Sequence, residues 1–242
     1  MISELEARKR ICDVGRKMYQ REFVAGHEGN LSIRLAPDRI LCTPTMHCKG
    51  ELEPEDLCVV DGDMNQIKGP HRPTSEIRLH LSIYRQRSDV HAVVHSHPPH
   101  ATAFAVAHRA LPTRYLAEPD LFLGETGIAP FAVPGTEEFA NSIDPFVQQT
   151  NAVLLANHGL VTYGLDLKSA FWMTEIFDAS CRTLLLSLQL GGPQRLSDQQ
   201  GRALAVKRAN FGFDDPRDFS DLDNYPSMFR QQFDETGMKD DF

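Results

Sequence analysis

Apolar residues at Leu5, Ile11, Cys12, Val14, Met18 and Phe23 recur at helical spacing, and Ser3 with Glu6 forms a capping-box pattern, so the chain is predicted to open on a helix. The polar stretch AGHEGN stops it. Short apolar runs LSIRL, RILCTP and LCVVD follow, divided by the turn residues Pro37–Asp38, Pro54 and Asp61–Gly62, which predicts part of a sheet. A helix is expected to start near PTSEIRLHLSIYRQR.

Strand and helix then alternate again. VHAVVHSH reads as a strand, and Pro98–Pro99 end it before the alanine-rich helix ATAFAVA. GTEEFANSIDPFV reads as helix with a break at Pro145, AVLLANHG as a buried strand, and DLKSAFWMTEIFDASCRTLLLSLQL as a long helix. Asp166 is its expected cap and Gly191 its expected end. Trp172, Phe171, Ile176 and Phe177 are expected to pack that helix into the core. No long internal repeat or low-complexity linker breaks the pattern. Residues 1–209 are therefore read as one domain, and the acidic, aromatic, irregular residues 210–242 as a tail docked on a neighbouring subunit or partly disordered.

Composition agrees with one core: 242 residues, 41% hydrophobic and 24% charged, suit a single mixed α/β domain. A formal charge of −8 argues against a nucleic acid or an anionic membrane as partner and leaves a small molecule or a protein. No apolar run approaches the ~20 residues of a membrane span, and the N-terminus has no apolar signal core, so a soluble cytoplasmic protein is expected. The five cysteines are scattered without a C-x-x-C pair, which fits reduced thiols and not a thiolate zinc site.

The chemistry concentrates in AVVHSHPPH. Residues two apart on a strand share a face, so His95 and His97 project together and form a metal edge. An isolated H-x-H reads equally well as two core histidines, and a third ligand decides between them. His100, His80, His91 and His158 are candidates. His158 is preferred because it ends another buried strand, in LLANHGL, where Gly159 permits a sharp turn and close approach. His91 shares the face of His95, but one strand does not bend three ligands onto one ion, and it is read as structural. Three imidazoles without a thiolate describe a catalytic zinc site with an open position.

Such a site needs an acid–base group. Glu76, in PTSEIRLH, opens a helix just before the histidine strand, where the helix dipole favours a carboxylate. Taken alone, it reads more simply as a first-turn helix stabiliser. Thr74 and Ser75 at the same helix start are candidates for caps or anion contacts, and GHEGN for a backbone cradle.

In order along the chain, G-N-L-S (Gly29 to Ser32), T-P-T (Thr43 to Thr45), K-G-x-L-x-P-E-D (Lys49 to Asp56), R-P-T-S-E, V-V-H-S-H-P, P-G-T-E-E and N-H-G-L together resemble the class II aldolase/adducin family, and within it the L-fuculose-phosphate aldolases. The resemblance implies a three-layer α/β/α fold around a mostly antiparallel sheet, and a C4 homotetramer with active sites at subunit interfaces. It implies that His95, His97 and His158 bind Zn2+ and that Glu76 is the catalytic acid/base. Gly29, Asn30, Thr45, Thr74 and Ser75 match the family's phosphate-binding positions. The implied reaction cleaves a ketose 1-phosphate, such as L-fuculose 1-phosphate, to dihydroxyacetone phosphate and an aldehyde.

Several residues depart from the aldolase pattern. His27 stands for a threonine of the phosphate loop and Met46 for a glycine. The interfacial tyrosine aligns near Leu116, with Tyr115 one place off, and the C-terminal tyrosine aligns with Phe211. Tyr225 in the tail is a candidate replacement for those hydroxyls. Other sugar-phosphate chemistries of the family (4-epimerase, dehydratase, decarboxylase) stay open, as does a non-catalytic adducin-like interaction domain. The epimerases carry aspartate where Glu76 stands, whereas Asp120 matches an acid that they use. Adducins lack the histidine set.

Overall fold

Side chains on the central strands alternate between two apolar faces, and helices cover both. The computed structural model describes residues 2–211. In chain order the elements are α1 (Glu4–Gln20), β1 (Asn30–Ala36), β2 (Arg39–Cys42), β3 (Cys58–Val60), β4 (Gln66–Lys68), α2 (Ile77–Gln86), β5 (Ala92–Ser96), α3 (Pro99–Val106) and α4 (Ala117–Phe122). There follow β6 (Gly127–Ala129), α5 (Glu137–Asn141), α6 (Asp144–Val147), β7 (Ala152–Leu155), β8 (Gly159–Gly164), α7 (Leu167–Leu188) and α8 (Asp198–Asn210).

The strands form one eight-stranded sheet in the order β4-β3-β2-β1-β5-β8-β7-β6. Every neighbouring pair is antiparallel except β6 with β7. Val93, Val153, Leu155, Val161 and Tyr163 pack on one side with α2, α5 and α6. Leu31, Ile33, Ala92 and Val94 face the other side, under α1 and the start of α7. Ala152, Leu154 and Leu160 continue that second side beneath α3 and the rest of α7. The architecture is therefore three layers, α/β/α, around a mostly antiparallel sheet. Because both faces are covered, the central strands β5, β7 and β8 are buried throughout, which hides the period-2 pattern in the sequence.

Local signals account for some of the helix ends. Ser3 Oγ accepts from the Glu6 N–H at 3.2 Å, but the capping box is only half made, because the Glu6 carboxylate turns to Arg10 at 2.9 Å. Leu5 is not a core residue of α1 and is 60% exposed. Asp166 caps α7 through the Ser169 N–H at 2.7 Å, and that helix ends at Leu188, before the left-handed Gly191 and Gly192. Phe171 and Phe177 are buried as expected, while Trp172, about 100° further round the helix, is 52% exposed, with the Lys168 ammonium 4.4 Å from its ring. Of the expected tail, only Asn210 and Phe211 are described, closing α8; the rest of that reading, with Tyr225, lies outside the described residues. Among the described residues no helix is long and apolar enough to cross a membrane.

Candidate metal centre

The middle of the sheet brings two distant segments together. On β5, His95 lies opposite Asn30 of β1 on one side and Val161 of β8 on the other. His97 stands just past the strand end, anchored by its backbone N–H to the Phe23 carbonyl at 2.8 Å. His158 occupies the hairpin turn between β7 and β8, after Asn157 in a left-handed conformation (φ 55°). A Cβ at Gly159 would lie 2.6 Å from His97 Cδ2 and 2.6 Å from the Ser96 carbonyl oxygen, so a side chain there has no room. Gly159 serves the site by letting the His97 ring lie against the backbone.

The three rings converge through one kind of atom. His95 Nε2 is 3.1 Å from His158 Nε2 and 3.2 Å from His97 Nε2. His95 Nδ1 donates to the Leu160 carbonyl at 3.0 Å, which leaves its Nε2 as a lone pair. The Glu28 carboxylate, 3.3 Å from His97 Nδ1, favours the same tautomer there. Two lone pairs pointed at each other repel unless a cation lies between them. The separations are also close to the ~3.3 Å edge of a tetrahedron with the 2.0–2.1 Å bonds usual for zinc and imidazole. The donor set therefore fits a divalent metal ion, and all its ligating atoms lie within 4.8 Å of one another. Burial keeps the rings neutral, as ligands must be: the pKa of His95 is pushed well below the usual imidazole value, that of His97 is lowered, and that of His158 is lowered to about 4.

Glu76 reaches the same cluster. Its Oε2 is 3.3 Å from His95 Nε2 and its Oε1 is 3.5 Å from His158 Nε2. It stands at the N-cap of α2, 7% exposed, without making a side-chain cap, so the helix-stabiliser reading does not describe it. Burial raises its pKa, opposed by a hydrogen bond from Asn30 Nδ2 at 2.7 Å and by the charge of Lys49.

The candidate phosphate residues are gathered less completely. A bridge between Pro44 and Pro73, with Thr45 N–H to the Arg72 carbonyl and Thr74 N–H to the Thr43 carbonyl, both at 3.0 Å, sets T-P-T beside R-P-T-S. This brings Thr45 near Thr74 and Ser75. Thr74 Oγ1 accepts from the Glu76 N–H at 3.3 Å, and Ser75 is exposed; neither caps the helix. Gly29 has φ 70°, and a Cβ there would meet Val24 Cγ1 at 2.5 Å and the His95 carbonyl oxygen at 2.8 Å, so only glycine fits beside the metal strand. Both polar ends of the buried Asn30 are engaged inside the protein, by Glu76 and by His80. Met46 sits with φ 57° and 69% exposed, a left-handed position that glycine fills with less strain.

The remaining histidine candidates lie elsewhere. His100 Nδ1 pairs with Asp178 at 2.9 Å, His91 is exposed, and His80 is fully buried without reaching the cluster. Asp120 accepts from the Arg114 N–H at 2.9 and 3.1 Å, and Tyr115 and Leu116 pack against the α3 and α7 core. Sequence reasoning missed Glu28 and Phe139 and did not give Lys49 or His80 the parts they play. Glu28 faces His97, and Phe139 stacks on His158 at 5.2 Å. Lys49, 1% exposed, ties the Gly-rich loop to the turn after T-P-T by donating to the His27 and His47 carbonyls at 2.8 and 2.6 Å, and burial lowers its pKa to about 8. His80 holds Asn30. E-x-x-x-H on one helix face is the signal that relates His80 to Glu76.

Residues 9–185 match the family model described as Class II Aldolase and Adducin N-terminal domain. The chain belongs to the class II aldolase and adducin family. An L-fuculose phosphate aldolase from Methanococcus maripaludis is 35% identical over 169 residues, 70% of this chain and 89% of that protein. Similar identity extends to other activities. A 5-deoxy-D-ribulose 1-phosphate aldolase from Bacillus thuringiensis is 31% identical over 208 residues, 85% of this chain and 96% of that protein. A 3-oxo-tetronate 4-phosphate decarboxylase from Haemophilus influenzae is also 31% identical over 208 residues, 84% of this chain and 98% of that protein. Among solved structures, an L-fuculose 1-phosphate aldolase superposes with a TM-score of 0.79 at 28% identity, covering 88% of this chain and 99% of that one. The three-layer fold is thus the class II aldolase fold.

Proposed function

We propose that this protein is a zinc-dependent aldolase that cleaves a ketose 1-phosphate, such as L-fuculose 1-phosphate, to dihydroxyacetone phosphate and an aldehyde. The observation that carries the reading is the convergence of three imidazole Nε2 atoms with the Glu76 carboxylate 3.3 Å from one of them. A non-catalytic, adducin-like role gives no reason to bury a carboxylate against three neutral imidazoles. The enzyme is read as a cytoplasmic homotetramer with active sites at subunit interfaces.

His95, His97 and His158 would hold the zinc, which when bound would polarise the carbonyl and hydroxyl oxygens of the substrate as a Lewis acid. Glu76 would deliver a proton to C3 as the C3–C4 bond breaks with its electron pair left on C3. The proton lost from the C4 hydroxyl, which becomes the aldehyde carbonyl, balances the one gained at C3. Burial raises the pKa of Glu76 above the usual carboxylate value, a direction that favours its holding a proton. The phosphate would sit by Gly29, Thr45, Thr74 and Ser75, with Asn30 and Lys49 shaping that wall.

One second reading is supported by the 31% identity over 208 residues to a 3-oxo-tetronate 4-phosphate decarboxylase. Decarboxylation of a 3-oxo sugar-acid phosphate asks the same of the centre: an electron pair left on carbon and a proton delivered there. Metal analysis of the purified protein, combined with assays for dihydroxyacetone phosphate from ketose 1-phosphates and for carbon dioxide from 3-oxo-acid phosphates, separates the two. Zinc with dihydroxyacetone phosphate supports the aldolase; zinc with carbon dioxide moves the assignment to the decarboxylase; protein that binds no metal and still turns over overturns both.

A further inference from the structure

Behind Glu76 lies an unbroken line of buried hydrogen bonds with alternate members on two elements. Asn30 Nδ2 donates to Glu76 Oε2 at 2.7 Å, and Asn30 Oδ1 lies 2.6 Å from His80 Nε2. His80 Nδ1 lies 2.7 Å from Ser32 Oγ, and Ser32 Oγ lies 2.8 Å from the Tyr84 hydroxyl. Glu76, His80 and Tyr84 are spaced four apart on or at the start of α2, and Asn30 and Ser32 two apart on β1. The helix period and the strand period therefore interleave the five side chains into one row. All five are buried.

Donor and acceptor counting orients every link. An ionised carboxylate only accepts, so Asn30 must turn its NH2 toward Glu76 and its carbonyl toward His80. That carbonyl only accepts, so His80 Nε2 must carry the hydrogen. Burial holds the His80 pKa down to about 3, so the ring is neutral and its Nδ1 is bare. Ser32 must then donate to Nδ1 and accept from Tyr84. With Glu76 ionised, no other tautomer or amide orientation satisfies the row.

We propose that His80 is a positioning residue: with Ser32 and Tyr84 behind it, it locks the Asn30 amide in the one orientation that offers an N–H to Glu76, and so fixes where that carboxylate stands against the three histidines. Removing the His80 donor leaves the Asn30 carbonyl without its partner, so the amide is free to shift, and to flip whenever Glu76 holds a proton, and Oε2 loses its fixed anchor. The inference rests on the reading of Glu76 as the acid–base group.

The test compares His80→Leu, His80→Gln and Glu76→Gln with wild type, each zinc-loaded, in the assay for whichever phosphate substrate the wild type turns over. His80→Leu is expected to lower kcat about 10- to 100-fold, as misplacement of a reacting group by about 1 Å does, with zinc content and KM nearly unchanged. Gln, which can still donate to Asn30, is expected to recover most of the loss. In a Glu76→Gln background the Leu change is expected to add little. Ser32→Ala, a smaller change expected to give a smaller loss of the same kind, replaces His80→Leu if that variant does not fold. A His80→Leu enzyme with wild-type kcat, or a loss as large in the Glu76→Gln background, overturns the inference. If Glu76→Gln itself keeps full turnover, the acid–base reading fails instead. Nitrogen-15 spectra of wild type give a readout apart from activity: His80 protonated at Nε2 is expected, and protonation at Nδ1 overturns the proposal.

Discussion

His95 and His158, 63 positions apart in the chain, place their Nε2 atoms 3.1 Å from each other. His95 is fully buried, its Nδ1 is committed to the Leu160 carbonyl, and its Nε2 faces both other imidazoles. His95→Ala is therefore expected to lose bound metal and turnover together. Elemental analysis beside the activity assay checks this, and an active, metal-free variant would contradict it.

Glu76→Gln keeps the shape of the side chain and an oxygen toward the cluster but removes the transferable proton. Zinc content is expected to stay near wild type while kcat falls by ~10²-fold or more, the usual size of a general acid–base contribution. Full activity in this variant would mean that another group moves the proton.

Glu28 touches no other member of the cluster but lies 3.3 Å from His97 Nδ1. A carboxylate behind a ligating histidine orients the ring and raises its basicity, so Glu28→Ala is expected to weaken metal affinity about 10- to 100-fold. Competition with a chelator measures this. The Glu28 side chain is 43% exposed, so melting temperature is expected to change little, and a large fall would point to a structural role.

Gly159 and Gly26 make a matched pair for the cost of a methyl group. At Gly159 a Cβ meets His97 and the Ser96 carbonyl at 2.6 Å, whereas at Gly26 it meets nothing within 4 Å. Gly159→Ala is expected to lose ~1–3 kcal/mol of stability and to weaken metal binding, because the His97 ring must move. Gly26→Ala carries only the strain of its left-handed backbone, about 1 kcal/mol. Equal effects from the two in denaturation and metal titration would contradict the crowding at Gly159.

His80 also makes acid stability readable. Its pKa is about 3 in the folded protein against an ordinary 6.5, so between those values the unfolded chain holds a proton that the folded one lacks. Stability therefore falls as pH drops below about 6.5, by up to ~1.4 kcal/mol per pH unit from this one group. In urea denaturation between neutral and mildly acid pH, His80→Gln is expected to show a shallower decline than wild type. Parallel curves would mean that the ring is not held neutral.

Much of this was legible along the chain, for identifiable reasons. H-x-H on a strand and N-H-G after an apolar run each follow from local spacing. The capping residues Ser3 and Asp166 also act where local rules place them. Strand β8 was hidden because its residues are all buried, with glycines at both ends, so it showed neither alternation nor a clear start. Strands β4 and β6, three residues each, are too short to carry a period. Trp172 was misread because an aromatic run in sequence spreads over more than one face of a helix.

The sequence by itself determined the kinds of chemistry at hand, the family and the faces on which single elements would present their side chains, since all of these depend on residue identity and spacing within one segment. Only the tertiary structure decided which histidines meet, that the Asn30 amide serves Glu76 and His80, and that Glu28, Phe139 and Lys49 back the site. Those depend on the register of β1 against β5, of β5 against β8, and on the docking of α2. Such pairings are set by burying both faces of the sheet at once, a condition that no single stretch of chain contains.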